Sequence, residues 1–325
     1  MRNTNDKESL QSAGLTTVFL MGAYSVCGRI ITDDAASFTI VWLVSVSALV
    51  LIWSIYSLLP TLKLSPDKSQ TTRSVIAAAY LVAAAGLYLN GFIMLWQQWS
   101  LPNTSRLLLS AAAALVAVYG GSRGIRPVLR LCLPVAFTVL VLFLLDTILL
   151  VPEMTTARFS VAYAGFESST ILKLSAALLL PLPAATIMLQ PKQKGHRSWF
   201  LCGGLIGLGY LLLSAMRSVM VLGPLTVLEP FPLLRALMLV DMGPGLGRME
   251  AGGFMAISAA MLAAAMAFVA GAFSLLPFLS RKRLAIVAVY IALTVVGFFR
   301  CLLALDIDKV YNFFSKYRPR GEGYE

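Results

Sequence analysis

Four ionisable side chains fall inside stretches otherwise apolar enough to cross a membrane: Asp146, Lys173, Arg217 and Arg300. A charge at that depth is costly, so it is paired, lines a polar cavity, or snorkels to the interface from a helix end. Counted from the ends of their stretches, Asp146 and Lys173 sit about four residues in and Arg217 about five. At a rise of 1.5 Å per residue this places all three about 6 to 8 Å below one boundary. Asp146 is therefore expected to pair with Lys173 or Arg217 and to help gate a vestibule there; snorkelling without pairing is the alternative. Other chemistry is scarce. The single histidine, His196, stands among Lys192, Lys194 and Arg197, and the cysteines Cys27, Cys132, Cys202 and Cys301 form no CxxC. Metal, Ser-His and Cys-His sites are therefore not expected, nor is an enzyme, since paired carboxylates are also missing. No cofactor is called for: Gly243, Gly245 and Gly247 mimic a phosphate loop, but no strand precedes them.

The elements that must position these charges follow from composition. Of 325 residues, 58% are hydrophobic and 13% charged, against roughly 25% charged in a soluble domain. Too little polarity remains to cover a water-facing surface, so lipid is the solvent for much of the chain. A helix needs about 20 apolar residues to cross, and nine stretches qualify: 13 to 31, 36 to 59, 72 to 97, 104 to 120, 126 to 150, 169 to 189, 198 to 222, 251 to 278 and 283 to 304. The expected class is an all-α polytopic membrane protein with a short N-terminal tail (1–12), a transmembrane domain (13–304) and a C-terminal tail or truncated last helix (305–325).

With the N-terminus inside, the inner segments and their edges hold fourteen Lys and Arg and the outer ones five, the asymmetry of a cytoplasmic N-terminus. The net charge of +11 is thereby a topology signal rather than a nucleic-acid footprint. The basic tail, with Lys309, Lys316, Arg318 and Arg320, either returns inward through a short tenth element or lies along the outer interface.

Breaks decide whether such a bundle has a binding site. The first stretch carries Gly14, Gly22 and Gly28 with Ser25 among them, and an unwound segment at membrane depth exposes amides able to hold a carboxylate. The sixth carries Pro181 and Pro183, each lacking a helical hydrogen bond. Interrupted first and sixth spans suit a five-plus-five inverted repeat; close packing and kinking suit the same residues. Gly203 and Gly207 have the spacing of close helix packing. The outer segment 223–250, with an apolar run at 231 to 240 between Gly and Pro turns, is too short to span and too apolar to float, as expected of a lid over the site.

Phe231-Pro232, Arg235, Gly247 and the run Arg248-Met249-Glu250 entering a span resemble the corresponding stretch of the B subunits of GerA-type spore germinant receptors. Tyr119-Gly120, Gly124 through Arg126 and Val151-Pro152 are similar to that family's helix-four-to-five region, and Gly22 to its first span. The resemblance covers about 13 to 300. It implies the amino acid/polyamine/organocation transporter superfamily, with a LeuT-like ten-helix inverted-repeat bundle. It further implies binding of a small nutrient, often an amino acid, in the spore inner membrane beside a larger A subunit and a C lipoprotein. The chain is short for this family at its C-terminal end, and span six lacks a polar cluster at its break. Carried onto matching positions, the backbone at Met21, Gly22 and Ala23, with Ser25 nearby, would receive the ligand carboxylate. Leu174, Ser175 and Ala176 would line the rest, and Arg235, Arg248 and Glu250 lie in the lid. Tyr80, Tyr88, Asn90 and Ser258 are candidate wall residues on their own polarity at depth, not on a family motif. A secondary amino acid permease would use the same site.

Overall fold

The structure is a computed structural model that describes residues 10–11, 13–22, 69–155, 194–223, 225, 231–238 and 249–275. Among the described residues every element is a helix. They are α1 (Ala13–Gly22), α2 (Ser69–Trp99), α3 (Arg106–Ser122), α4 (Ile125–Leu150), α5 (Lys194–Leu222), α6 (Pro232–Met238) and α7 (Met249–Leu275), with one 3-10 turn at Val151–Glu153. Four of them hold apolar stretches long enough to cross a membrane: Val75–Trp99, Ile125–Glu153, Leu201–Leu222 and Ala251–Leu275. Expected spans two, six and nine lie outside the described residues, as does the tail.

The boundaries follow local chemistry. α3 starts where the Ser105 hydroxyl accepts the Leu108 amide at 3.3 Å, satisfying one of the free donors of a first helical turn. α4 follows a tight turn at Gly124, whose φ of 98° suits a residue without a β-carbon. Pro134 lies inside α4 and removes one ladder hydrogen bond without ending the helix.

α7 is the hub, packing on α2, α4 and α3. Its small residues make this possible: Ala263, Ala264, Ala265 and Ala267 are all buried, and their lack of bulk lets neighbouring backbones approach. The end of α3 docks on it, with the missing β-carbons of Gly120 and Gly121 directed at Met266 and Val269.

α1 is wedged between α4 and α5. A β-carbon on Gly14 would lie 2.8 Å from the Leu133 Cα, and one on Gly203 only 2.3 Å from the Ala13 carbonyl oxygen. The Gly203 and Gly207 spacing thus serves close packing, and its partner is α1, where Gly207 receives Leu20. The Thr17 hydroxyl lies 2.9 Å from the Ala13 carbonyl oxygen and 3.1 Å from that of Gly203. Opposite this dense interior, α3 and α4 expose Leu108, Tyr119, Phe137 and Ile148, the outward apolarity of a protein solvated by lipid.

Candidate functional site

Two of the intramembrane charges come together. Asp146 lies four residues before the end of α4 and Arg217 five before the end of α5; both are almost wholly buried, at 4% and 2% exposure. They line one cavity of about 10 Å³, the space of about one water molecule. The guanidinium faces the same cavity as the carboxylate. It also donates from Nη1 to the Thr147 hydroxyl at 3.0 Å and, at 3.4 Å, to the Phe143 carbonyl, and stacks over the Phe143 ring at 4.7 Å. Thr147 in turn donates to the Phe143 carbonyl at 2.6 Å. Phe143 packs on Tyr210 with ring centroids 4.8 Å apart. A buried charge needs such a shell, because a partly satisfied one costs more than an apolar replacement.

The short helix α6 forms one wall of this cavity. Pro232, Leu233, Leu234, Ala236 and Leu237 are buried, and Leu233 and Leu237 line the cavity opposite Gly253. A β-carbon on Gly253 would lie 2.9 Å from Leu237 Cδ1 and 3.7 Å from Asp146 Oδ2. That glycine lets α6 settle against α7 directly over the carboxylate. Arg235 points away, exposed, with Nη1 3.4 Å from Met238 Sδ.

A second cluster surrounds the end of α1. Helical geometry continues through Met21 and Gly22. A β-carbon on Gly22 would meet the Tyr88 ring at 2.5 Å, so glycine here admits an aromatic ring. Tyr88, fully buried, donates its hydroxyl proton to the Phe19 carbonyl at 2.7 Å. Phe19 stacks on Phe268 at 4.3 Å, and Tyr88 meets Phe268 at 5.4 Å. The Phe19 carbonyl is the acceptor that the amide of residue 23 would use in a continuing helix, so Tyr88 supplies that oxygen with a second possible donor.

The remaining expected residues distribute unevenly. Met21 is buried beside Gly22. Ser258 is buried one turn from Met261, which faces Gly22, and its hydroxyl has no hydrogen-bond partner among the described residues. Asn90 accepts from Arg106 at 2.7 Å, which ties α2 to the start of α3. Tyr80 is half-buried and two turns of α2 before Tyr88, about 12 Å along the axis. Ala23, Ser25, Lys173, Leu174, Ser175, Ala176 and Arg248 lie outside the described residues, as does the Glu250 side chain. Thr147, Phe143 and Tyr210 complete the charged cavity without having been singled out in the sequence. Their only signals there are adjacency to Asp146 and the seven-residue spacing of Tyr210 from Arg217.

Comparison with known proteins adds three findings. The spore permease family model, whose description reads "Spore germination protein", matches residues 71–302. A solved structure of a Na+-coupled sialic acid symporter in a substrate-bound outward-open state matches at a TM-score of 0.49 and 12% identity, covering 92% of this chain and 74% of that one. No curated protein matches.

Proposed function

The chain belongs to the spore germination protein family, and on that premise we propose that it is the membrane subunit of a nutrient germinant receptor, binding a small nutrient such as an amino acid. It is a multi-pass membrane protein of permease-like type. In the proposed arrangement the N-terminus is cytoplasmic, the membrane is the cell membrane that becomes the spore inner membrane, and an A subunit and a C lipoprotein assemble beside it. The bundle is a five-plus-five inverted repeat, and its ligand lies where the first and sixth spans are interrupted.

The observation that carries the proposal is the Tyr88 hydroxyl on the Phe19 carbonyl. If the first span opens beyond Gly22, this bond keeps the carbonyl satisfied, and the freed amides around residue 23 can receive a carboxylate. Leu174, Ser175 and Ala176 would face the same ligand from the sixth span, with Ser258 on the opposing wall. Asp146 and Arg217, with Lys173 as a further candidate partner, would form the outer gate, and the segment carrying Arg235, Arg248 and Glu250 its lid. Signalling then needs only that the ligand bind one arrangement of gate and lid better than the other.

Thermal unfolding of the purified protein across a panel of amino acids tests this. A ligand that binds only the folded form raises the melting temperature; G22V, whose side chain must displace the Tyr88 ring, should lower the ligand-free melting temperature and abolish that rise in the protein that still folds. A G22V protein that still responds in full removes the central site. A secondary permease is the second reading, favoured by the permease character of the family; uptake of a stabilising amino acid into proteoliposomes would establish it.

A further inference from the structure

Three arginines crowd the end of the bundle where α3 passes into α4. Arg123 sits in the connecting turn, with its guanidinium 4.9 Å over the Tyr119 ring and Nη2 donating to the Tyr119 hydroxyl. Arg126 and Arg130 follow one turn apart on α4, and all three are exposed. No acidic residue occurs anywhere from Ser69 to Leu145. The described residues hold three carboxylates, Asp146, Glu153 and Glu250, and each belongs to the far end. Asp146 is 20 residues up α4 from Arg126, about 30 Å; Glu153 lies beyond it. Glu250 starts α7, whereas the arginine end of α3 docks on Met266 and Val269. The positive end of the α4 dipole adds to the same charge, so among the described residues nothing neutralises it.

The surface below these arginines is built for hydrocarbon. α4 turns Phe137, Val141, Leu144 and Ile148 outward on the stripe that begins with Arg126 and Arg130, and Phe137 and Ile148 are 68% and 67% exposed. Of the four long apolar helices this one is least enclosed, with 28% of its apolar window buried against 61%, 61% and 78%. From Arg130 to Ile148 the stripe runs about 27 Å, nearly a full hydrocarbon thickness.

Cationic groups at one end of an exposed apolar stripe match the layout of an amphiphile with an anionic head. We infer that Arg126 and Arg130, with Arg123 at the rim, hold the phosphodiester of an anionic phospholipid whose acyl chains lie along the Phe137 stripe of α4. Guanidinium groups suit this occupant, because they bind phosphate oxygens through paired donors and keep their charge at the interface. A partner's membrane helix would cover the stripe but leave the arginines without a counter-charge. The surface is separate from the nutrient site and stands whether or not that site binds an amino acid.

Full-length protein reconstituted in nanodiscs of phosphatidylcholine with graded phosphatidylglycerol provides the test, read by native mass spectrometry of retained lipid and by melting temperature. Wild type is expected to retain phosphatidylglycerol over phosphatidylcholine and to melt higher as its fraction rises. R126Q/R130Q should lose about fivefold in that preference per charge removed, about 25-fold for the pair. R126K/R130K should keep most of it, and R235Q, at a distant site, all of it. These residues are exposed, so the variants are expected to fold. A double glutamine variant within twofold of wild type overturns the proposal. So does equal stabilisation by inorganic phosphate in neutral nanodiscs, which would leave the acyl chains no part. Exclusion of lipid from the Phe137 stripe by a tightly bound protein partner would overturn it as well.

Discussion

At the scale of single residues, the clearest demands are steric. Gly203 faces the α1 backbone rather than a side chain, and a backbone cannot step aside by changing rotamer. G203A should therefore cost about 1–3 kcal/mol, the usual range for overpacking, whereas G209A, which meets nothing within 4 Å, should be neutral. Melting curves in detergent distinguish the two. The Tyr88 hydroxyl bond to Phe19 predicts a smaller loss, about 1 kcal/mol for Y88F. If the first span opens beyond Gly22, ligand stabilisation should fall further than fold stability, because the carbonyl left bare borders the ligand site. The charged cavity makes a third demand. R217M strands the Asp146 carboxylate in an apolar pocket and should lose about 3–5 kcal/mol, whereas D146L/R217M, which removes both charges, should restore most of that. A double variant that melts like wild type yet no longer answers a nutrient would assign the pair to gating. One that retains the response would assign it to packing alone.

At the scale of elements, hydropathy located the helices because lipid imposes one simple condition, a long enough apolar run. Expected spans at 72 to 97, 104 to 120 and 126 to 150 appear as Ser69–Trp99, Arg106–Ser122 and Ile125–Leu150. The ends differ where helical hydrogen bonding continues into polar residues such as Ser69 and Gln70, which hydropathy does not weigh. Counting residues from helix ends was enough to set Asp146 and Arg217 at one depth. It could not choose between Arg217 and Lys173 as neighbour, because depth carries no information on which helices adjoin. For the same reason the partner of Gly203 and Gly207 was not legible: the spacing announces a close contact, and only packing names α1. The apolar run at 231 to 240 contains α6, but nothing in it revealed that Leu233 and Leu237 cover Asp146. That contact depends on the bare Gly253 of a later helix. Joining L237C to G253C with a short bifunctional reagent should pin α6 to α7. If α6 is a lid, the linked protein should melt no lower than the unlinked one and lose its nutrient response; unchanged response would show that α6 is a fixed plug.

At the scale of the whole molecule, the distribution of burial separates a close-packed interior from a lipid-facing rim. α7 is enclosed on most sides while α4 presents much of its surface outward. The membrane itself bears on α4. A nutrient at 100 times its dissociation constant should stabilise the protein by about 2.7 kcal/mol, and this shift should be the same in neutral and anionic lipid if site and rim act independently. Calorimetry of both preparations checks it.

Thr17 gives this separation a mechanical sense. Its single hydroxyl proton is shared between the Ala13 carbonyl of its own helix and the Gly203 carbonyl of α5, and the bare backbones at Gly14 and Gly203 close around the same stretch. The lower part of the first helix is thus bolted down like the foot of a mast. Were a ligand to load this helix near residue 22, that foot would resist sliding along the helix axis, and the load would pass to the Tyr88 and Phe268 rings packed on Phe19.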